Sequence, residues 1–565
     1  MKFSLINKNL PDASFDVLKS ALAERLQKRN ADIADNGDTV LSLAIEPTME
    51  ADSYKIYENE GITYIEANDL CTVFAGVGRY FVKGTFDQRG GFRPAKLPIS
   101  HKMNNSMRGM YLASHFYNFY HAAPVEEVYD KIVDLAFRGC NCLMLCFGVQ
   151  HYTGTKEPAA VEFIGRMKLM LKFADKCGIA PALILFSNTG FKDSYYGIEA
   201  QMELDGTGNY DKPHLAEFTT EICPSTEAGW AEIERQQREF FEAFADTPIK
   251  YFALWAYDEG GCLCEKCYPW VTNGFMKVAD LCRKLIDEYG YNAEIIISTW
   301  HFGIRKYTEW EIFYEELRKG TYSRSPYIMT DFRPRGRMNK VFVENGIPEG
   351  VHLIDFPEIS MCSAKPWGGF GANPITMLLD NIYQNCGQYH DGGFPYSEGI
   401  YEDINKWVCL GFYTGHYKHS ADAVRDYIRY EFGTEDTDEL LRAVQLMESS
   451  LPRGTERTDE TGKFVVTNGV KGRIEDKTYR FPIRWGTAIP ETYRIITEWD
   501  KKLPEKLRTD WKWRLFVIRA TLDRELLNNG YITRYSEVAQ DAYRELYKIT
   551  HTENAKFCVH PPKGL

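Results

Sequence analysis

The chain has 565 residues, 44% of them hydrophobic, 26% charged and 14% aromatic, with a formal net charge of -12. That length exceeds the size at which one hydrophobic core stops growing, so two or three domains are expected, one large enough for a barrel, and the composition excludes the disordered and fibrous classes. The acidic balance argues against nucleic acid or an anionic membrane surface as partner, since both are held by clustered Lys and Arg, and it leaves self-association into a homo-oligomer open.

The N-terminal residues Met1-Lys2-Phe3-Ser4-Leu5-Ile6 carry neither the unbroken apolar stretch nor the small-residue cleavage site of a signal peptide, and no apolar run reaches bilayer length. A cytoplasmic protein is expected. Its 14 Cys, among them Cys140, Cys142 and Cys146 at strand-like positions, then read as reduced small hydrophobes rather than a disulfide framework.

Residues 1–100 read as a small α+β domain, with residues 2–6 and 39–45 extended and 15–27 helical. The runs Tyr54-Lys55-Ile56-Tyr57 and Ile62-Thr63-Tyr64-Ile65 flank Asn59-Glu60-Gly61 and predict a hairpin, followed by an apolar helix over 70–82. Residues 85–107, with a Gly-Gly pair and prolines, read as a linker. From Met110 the pattern alternates strand and helix, with strands predicted at 109–114, 142–147, 182–186, 251–257, 295–299, 327–330, 352–356 and 393–396. Val125, Val128, Ile132 and Leu135 recur at helical spacing, as do Val278, Leu281, Cys282 and Leu285. Eight such units, with no Gly-rich dinucleotide fingerprint after the first strand, predict an α/β fold with a (β/α)8 TIM barrel over 101–420. Residues 421–565 read as a helical C-terminal region, clearest at 421–432, 438–449, 490–502 and 505–528, with residues 453–477 as a polar surface excursion.

Breaking a glycosidic bond needs a carboxylic acid to protonate the leaving oxygen and a carboxylate across the sugar, acting directly or through water. A barrel presents such groups at the C-terminal ends of its strands. Four predicted strands lead into acid: the fourth into Asp258 and Glu259, the sixth into Asp331, the seventh through Asp355 to Glu358, and the eighth into Glu398. A single acid after a strand is most often a helix cap or a surface carboxylate. Four at one rim, with Trp255, Trp300, His301 and Trp367 nearby in sequence order, are what a sugar site requires. His115 and His301 are candidate donors to sugar hydroxyls or structural residues. Arg333, Arg335 and Arg337 are either solvated or a clamp for a substrate carboxylate.

The order of these motifs resembles glycoside hydrolase family 67, the α-glucuronidases. His115-Phe116-Tyr117-Asn118 looks like that family's His-Trp-Asp-Asn, Asp258-Glu259-Gly260 like its Ser-Glu-Gly, and Asp331-Phe332-Arg333-Pro334-Arg335 like its Asp-Phe-Gln-Pro-Arg. Glu358 falls where the family has a strand-seven Glu, and Asn405-Lys406-Trp407 with Gly411-Phe412-Tyr413 is similar to a later segment. Tyr117 stands where the family has Asp. The resemblance implies Glu259 as general acid, Asp331 and Glu358 as the base pair that activates water, inversion of configuration, and an exo-acting enzyme on a uronic-acid-containing oligosaccharide. Asp258-Glu259 also resembles the Asp-Glu pair of family 20 β-N-acetylhexosaminidases, which implies a retaining alternative in which Asp258 orients a substrate acetamide. An alternative of another class is a carbohydrate-binding barrel without catalysis, and a weaker one a metal-dependent isomerase or lyase.

Carboxylate chemistry of this kind requires no cofactor. Cys262, Cys264 and Cys267 supply three thiols for a structural zinc, but a tetrahedral site needs a fourth ligand and none stands at matching spacing. Cys362 or His301 is a candidate to complete it in space, with free thiols or a local disulfide as the other readings.

Overall fold

The computed structural model describes the chain except residues 87–90, 116–117, 193–220, 256–260, 301–307, 321–325, 331–339, 361–372, 451–454, 459–463, 468–484, 529–535 and 552–565. Its centre is a closed parallel barrel of eight strands: Met107–Leu112, Cys142–Leu145, Ala180–Phe186, Tyr251–Trp255, Glu294–Ser298, Tyr327–Thr330, His352–Asp355, and an eighth made of two short pieces, Gly392–Gly393 and Tyr396–Ser397. Each strand pairs in parallel with the next, and the eighth closes on the first, where Tyr396 faces Tyr111 and Ser397 faces Leu112. Helices cover the outer face, so the strands are buried on both sides and read as unbroken apolar runs such as Leu183-Ile184-Leu185-Phe186.

Two glycines, Gly393 on the eighth strand and Gly109 on the first, let the eighth strand lie hard against its neighbours. A Cβ on Gly393 would stand 2.2 Å from the Asp355 carbonyl oxygen, and one on Gly109 would stand 2.4 Å from the Phe394 ring. Gly393→Ala is therefore expected to cost ~1–3 kcal/mol through overpacking, visible as a lowered Tm; an unchanged Tm would mean that this seam can open without loss.

Ahead of the barrel lies a six-stranded sheet in the order Asp32–Ile33, Lys2–Asn7, Thr39–Ile45, Ile62–Ala67, Ser53–Asn59, Ile99–Lys102. The predicted hairpin is present, and Glu60 and Gly61 at its tip both take positive φ, 49° and 78°, as a two-residue turn between twisted strands requires. The expected linker is a correction: Ile99–Lys102 pairs antiparallel with Ser53–Asn59, and Thr85–Phe86 pairs with Phe92–Arg93. Its polar, proline-flanked sequence is that of an edge strand, whose outer face stays in water. The unit is pinned to the barrel's N-terminal end by buried Arg108, which donates to Asp52 at 2.7 Å and to the carbonyls of Gly139 and Asn105.

Behind the barrel the chain is helical from Ser420–Phe432 onward. The single helix expected over 505–528 is two, Glu505–Arg508 and Trp511–Asn528, because Asp510 caps the second: its carboxylate accepts from the Lys512 amide at 3.0 Å. The polar excursion contains an antiparallel pair, Thr455–Thr458 with Phe464–Thr467. A buried charge cluster ties this region to the barrel: Arg138 pairs with Asp403 at 2.8 Å and with Asp134, and Lys512 with Glu431 at 2.5 Å. The opposed guanidinium and ammonium groups hold the Asp134 and Asp403 carboxyls below their ordinary range in spite of burial. Among the described residues no helix is long and apolar enough to cross a membrane.

Candidate active site

The C-terminal strand ends bring five rings together. Tyr111 comes from strand one, Trp255 from strand four, Trp300 from just beyond strand five, Phe356 from just beyond strand seven and Tyr396 from strand eight. Trp255 packs edge-on to Phe356 at 4.8 Å, Trp300 to Phe356 at 5.5 Å, and Tyr111 to Tyr396 at 5.1 Å. Trp255 is buried within this floor, whereas Trp300 keeps part of its surface open. Such a floor offers flat apolar area for the C–H face of a sugar.

Two carboxyl groups stand at its edge. Glu358 lies just past strand seven, where the backbone continues alongside strand eight through a bridge to Tyr396. Glu398 follows strand eight and is buried, with the Tyr396 hydroxyl donating to its Oε1 at 3.0 Å. Burial first, then the negative charges of Glu358 and Glu402, push the Glu398 carboxyl up to about 8, against the lowering effect of the Tyr396 hydrogen bond. The surroundings of Glu398 thus favour its protonated form.

The turn that carries Glu398 is fixed from below. Its amide donates to Ser360 Oγ at 2.8 Å, Ser360 donates to Glu402 Oε1 at 2.7 Å, and the Gly399 amide reaches the same Glu402 oxygen at 3.2 Å. Buried Lys406 donates to the Gly399 carbonyl and to the Tyr120 hydroxyl, each at 2.6 Å, and burial lowers its affinity for the proton. Hydrogen bonds of this kind hold the backbone from which the side chain is aimed.

Of the residues expected from sequence, the structure brings Glu358, Glu398, Trp255 and Trp300 to the strand ends around this floor. His115 is buried beside it, with Nδ1 3.4 Å from the Tyr111 hydroxyl, and burial with its neighbours His151 and His121 lowers its pKa to about 3. It is a neutral imidazole at every physiological pH. Asp258, Glu259, His301, Asp331, Arg333 and Arg335 lie outside the described residues, as do Trp367 and Arg337. Asp355 is set apart from the carboxyl pair: it is buried beside Cys409 and Tyr413 on the helix Asp403–Tyr413. Asn118 and Asn405 act on backbone: Asn118 caps the turn Phe119–Ala122, and Asn405 accepts from the Ile375 amide and donates to the carbonyls of Ile359 and Asn373.

Sequence reasoning passed over Tyr111, Tyr396, Ser360 and Glu402. Tyr396, two residues before Glu398 and therefore on the same face of an extended strand, was the one with a readable signal. Buried Glu221 was also missed; it accepts from the Thr189 hydroxyl at 2.6 Å across the bridge that follows strand three.

Among the described residues, one group of side chains has the makeup of a metal centre: Cys223, Cys262, Cys264 and Cys267. The absent fourth thiol is a correction. Cys223 supplies it from the segment after strand three, 39 residues before Cys262, so no local spacing could reveal it. Cys362 and His301 lie outside the described residues.

No family model and no curated protein matches the chain. Solved structures do. One is a family 138 glycoside hydrolase targeting pectin rhamnogalacturonan II, with a TM-score of 0.58 and 10% identity over 97% of this chain and 93% of that one. Another is a family 89 glycoside hydrolase from Clostridium perfringens in complex with its substrate GlcNAc-α-1,4-galactose, with a TM-score of 0.56 and 11% identity over 95% of this chain and 64% of that one. A family 20 β-N-acetylhexosaminidase from Streptomyces coelicolor has a TM-score of 0.48 and 11% identity over 79% of this chain and 91% of that one. The first two share with this chain the barrel fold across nearly its whole length, and the structures it resembles are glycoside hydrolases.

Proposed function

We propose that the chain is a glycoside hydrolase acting at the C-terminal mouth of its barrel on a uronic-acid-containing oligosaccharide from the chain end. The observation that carries the reading is the pair Glu358 and Glu398 beside the aromatic floor, with burial and neighbouring charge holding a proton on Glu398. Acid-base cleavage of an acetal uses carboxyl groups gathered around the sugar, and the strand-end acids Glu259 and Asp331 are assigned the acid and the supporting role beside this pair. Glu259 gives its proton to the leaving oxygen as the bond to the anomeric carbon breaks. A water attacks that carbon from the opposite face, and its proton passes to Glu358, assisted by Asp331. Protonated Glu398, held by the Tyr396 hydroxyl, donates to a hydroxyl of the bound sugar, as does neutral His115, while Arg333 and Arg335 hold the uronate. The family 67-like motif order supports the uronide, and so does the pectic target of the family 138 structure that matches nearly all of both chains.

The test is a panel of aryl glycosides, aryl uronides and aryl N-acetylhexosaminides, with the first-formed anomer followed by NMR. Cleavage of a uronide with inversion is expected, and a crystal structure should place Glu259 ~6.5–9.5 Å from Glu358. Retention, together with cleavage of the N-acetylhexosaminide, would replace the water-activating pair by an acetamide held on Asp258. Folded protein that binds sugars and cleaves none of the panel would leave a carbohydrate-binding barrel.

A further inference from the structure

We propose that the chain binds one structural zinc ion through Cys223, Cys262, Cys264 and Cys267, and that this ion ties the segment after strand three to the loop after strand four. The four sulfurs all lie within 4.8 Å of one another. Cys223 Sγ is 3.7 Å from that of Cys262, 3.8 Å from that of Cys267 and 3.9 Å from that of Cys264. Four thiolates at a Zn–S distance of ~2.3 Å around one tetrahedral ion stand about 3.8 Å apart. The spacing is far from the ~2.05 Å of a disulfide, and none of the four cysteines is disulfide-bonded.

A second observation separates a metal centre from four thiols that merely pack. A polar group from outside the four cysteines joins the cluster. The Ser225 hydroxyl adds contacts at 3.1 Å to Cys223 and 3.4 Å to Cys264. A tetrathiolate carries excess negative charge, and a hydroxyl placed to donate to its sulfurs orients and stabilises them. The loop is built for this: the amides of Cys267 and Tyr268 both turn back to the Cys264 carbonyl, at 3.0 and 2.9 Å, which bends the chain between two ligands.

The ligand set selects the ion. Four thiolates in a tetrahedron suit zinc or an iron centre, and exclude magnesium and calcium, which take oxygen. Three of the four cysteines are buried and the fourth half-buried, so the site is closed, with no open position for a substrate. The role is therefore structural. Cys262 is three residues beyond Glu259 in the chain, so the ion anchors the chain just downstream of the proposed acid. That consequence rests on the glycosidase reading, while the metal site does not.

The test uses full-length protein purified without added metal or chelator and analysed by plasma mass spectrometry. About one zinc per chain is expected, falling at least several-fold in Cys264→Ser and in Cys223→Ser, with Cys282→Ser as the control that keeps it. Because a buried cysteine variant can fail to fold, wild-type protein stripped of metal is also loaded with Co²⁺, which should give the sulfur-to-cobalt absorption of tetrahedral thiolate ligation. Folded wild-type protein with zinc well below one per chain and no such absorption would overturn the site, and stoichiometric iron would overturn the assignment to zinc. Each result is read without any assay of turnover, so it stands apart from the outcome of the glycoside panel.

Discussion

Replacing Glu259 by Gln lowers kcat on an unactivated glycoside by ~10²–10⁴-fold, the usual worth of a positioned general acid, and leaves the circular-dichroism spectrum and Tm as they are. The amide preserves the shape of the side chain and its hydrogen bonding but has no proton to give to the leaving oxygen. The loss should shrink on an aryl glycoside whose leaving group departs as a stable phenolate, because that bond breaks without protonation. This dependence on the leaving group separates an acid from a residue that only binds sugar, for which both substrates would suffer alike. Activity within a few-fold of wild type on the unactivated substrate would remove Glu259 from the mechanism.

The barrel was legible because its strands are buried on both faces, so that runs such as Tyr251-Phe252-Ala253-Leu254-Trp255 stand out from the amphipathic helices between them. Where a strand has an open face the signal fades. Ile99–Lys102 alternates two half-buried with two exposed residues, follows a proline, and looks like connecting chain until its partner Ser53–Asn59 is known. The break at Asp510 was hidden because no Gly or Pro marks it, and only a side chain bonding the Lys512 amide separates one helix from the next.

The same distinction runs through the site. Glu358 and Glu398 were readable because a barrel places strand ends at one rim, so position in the chain implied position in space. The groups that set their properties were not. Ser360 and Glu402 matter only because strand seven's continuation lies against the turn after strand eight, and Cys223 only because two loops meet. Such partners are chosen by tertiary contact, across tens of residues, and leave no local pattern.

Stability should decline as pH rises from about 4.5 to about 8, in a way that Glu398→Gln abolishes. The Glu398 carboxyl takes up its proton near 4.5 in an unfolded chain and near 8 in the folded one. Below 4.5 it is protonated in both states and its contribution to stability is fully present. Between the two values the unfolded chain releases the proton and the folded one keeps it, so each pH unit favours unfolding; above about 8 both forms are ionised and the loss is complete. Each tenfold change in proton affinity is worth about 1.4 kcal/mol, so the whole effect is a few kcal/mol. Buried carboxyls held low by cations, Asp134 and Asp403, act with the opposite sign and at lower pH, where they lose stability as the medium is acidified. The useful measurement is therefore the difference between Glu398→Gln and wild type in denaturant unfolding, which should grow from near zero at pH 4.5 to its full value by pH 8. Turnover should follow the same proton: kcat/KM of the wild type falls on the alkaline side near pH 8, whereas Gln, which cannot ionise and still donates a hydrogen bond, keeps activity within a few-fold and shifts that limb upward. A difference in stability that stays flat across this range would mean that Glu398 is ionised in the folded protein. The role of Glu398 as a protonated donor at the floor of the site would then fall.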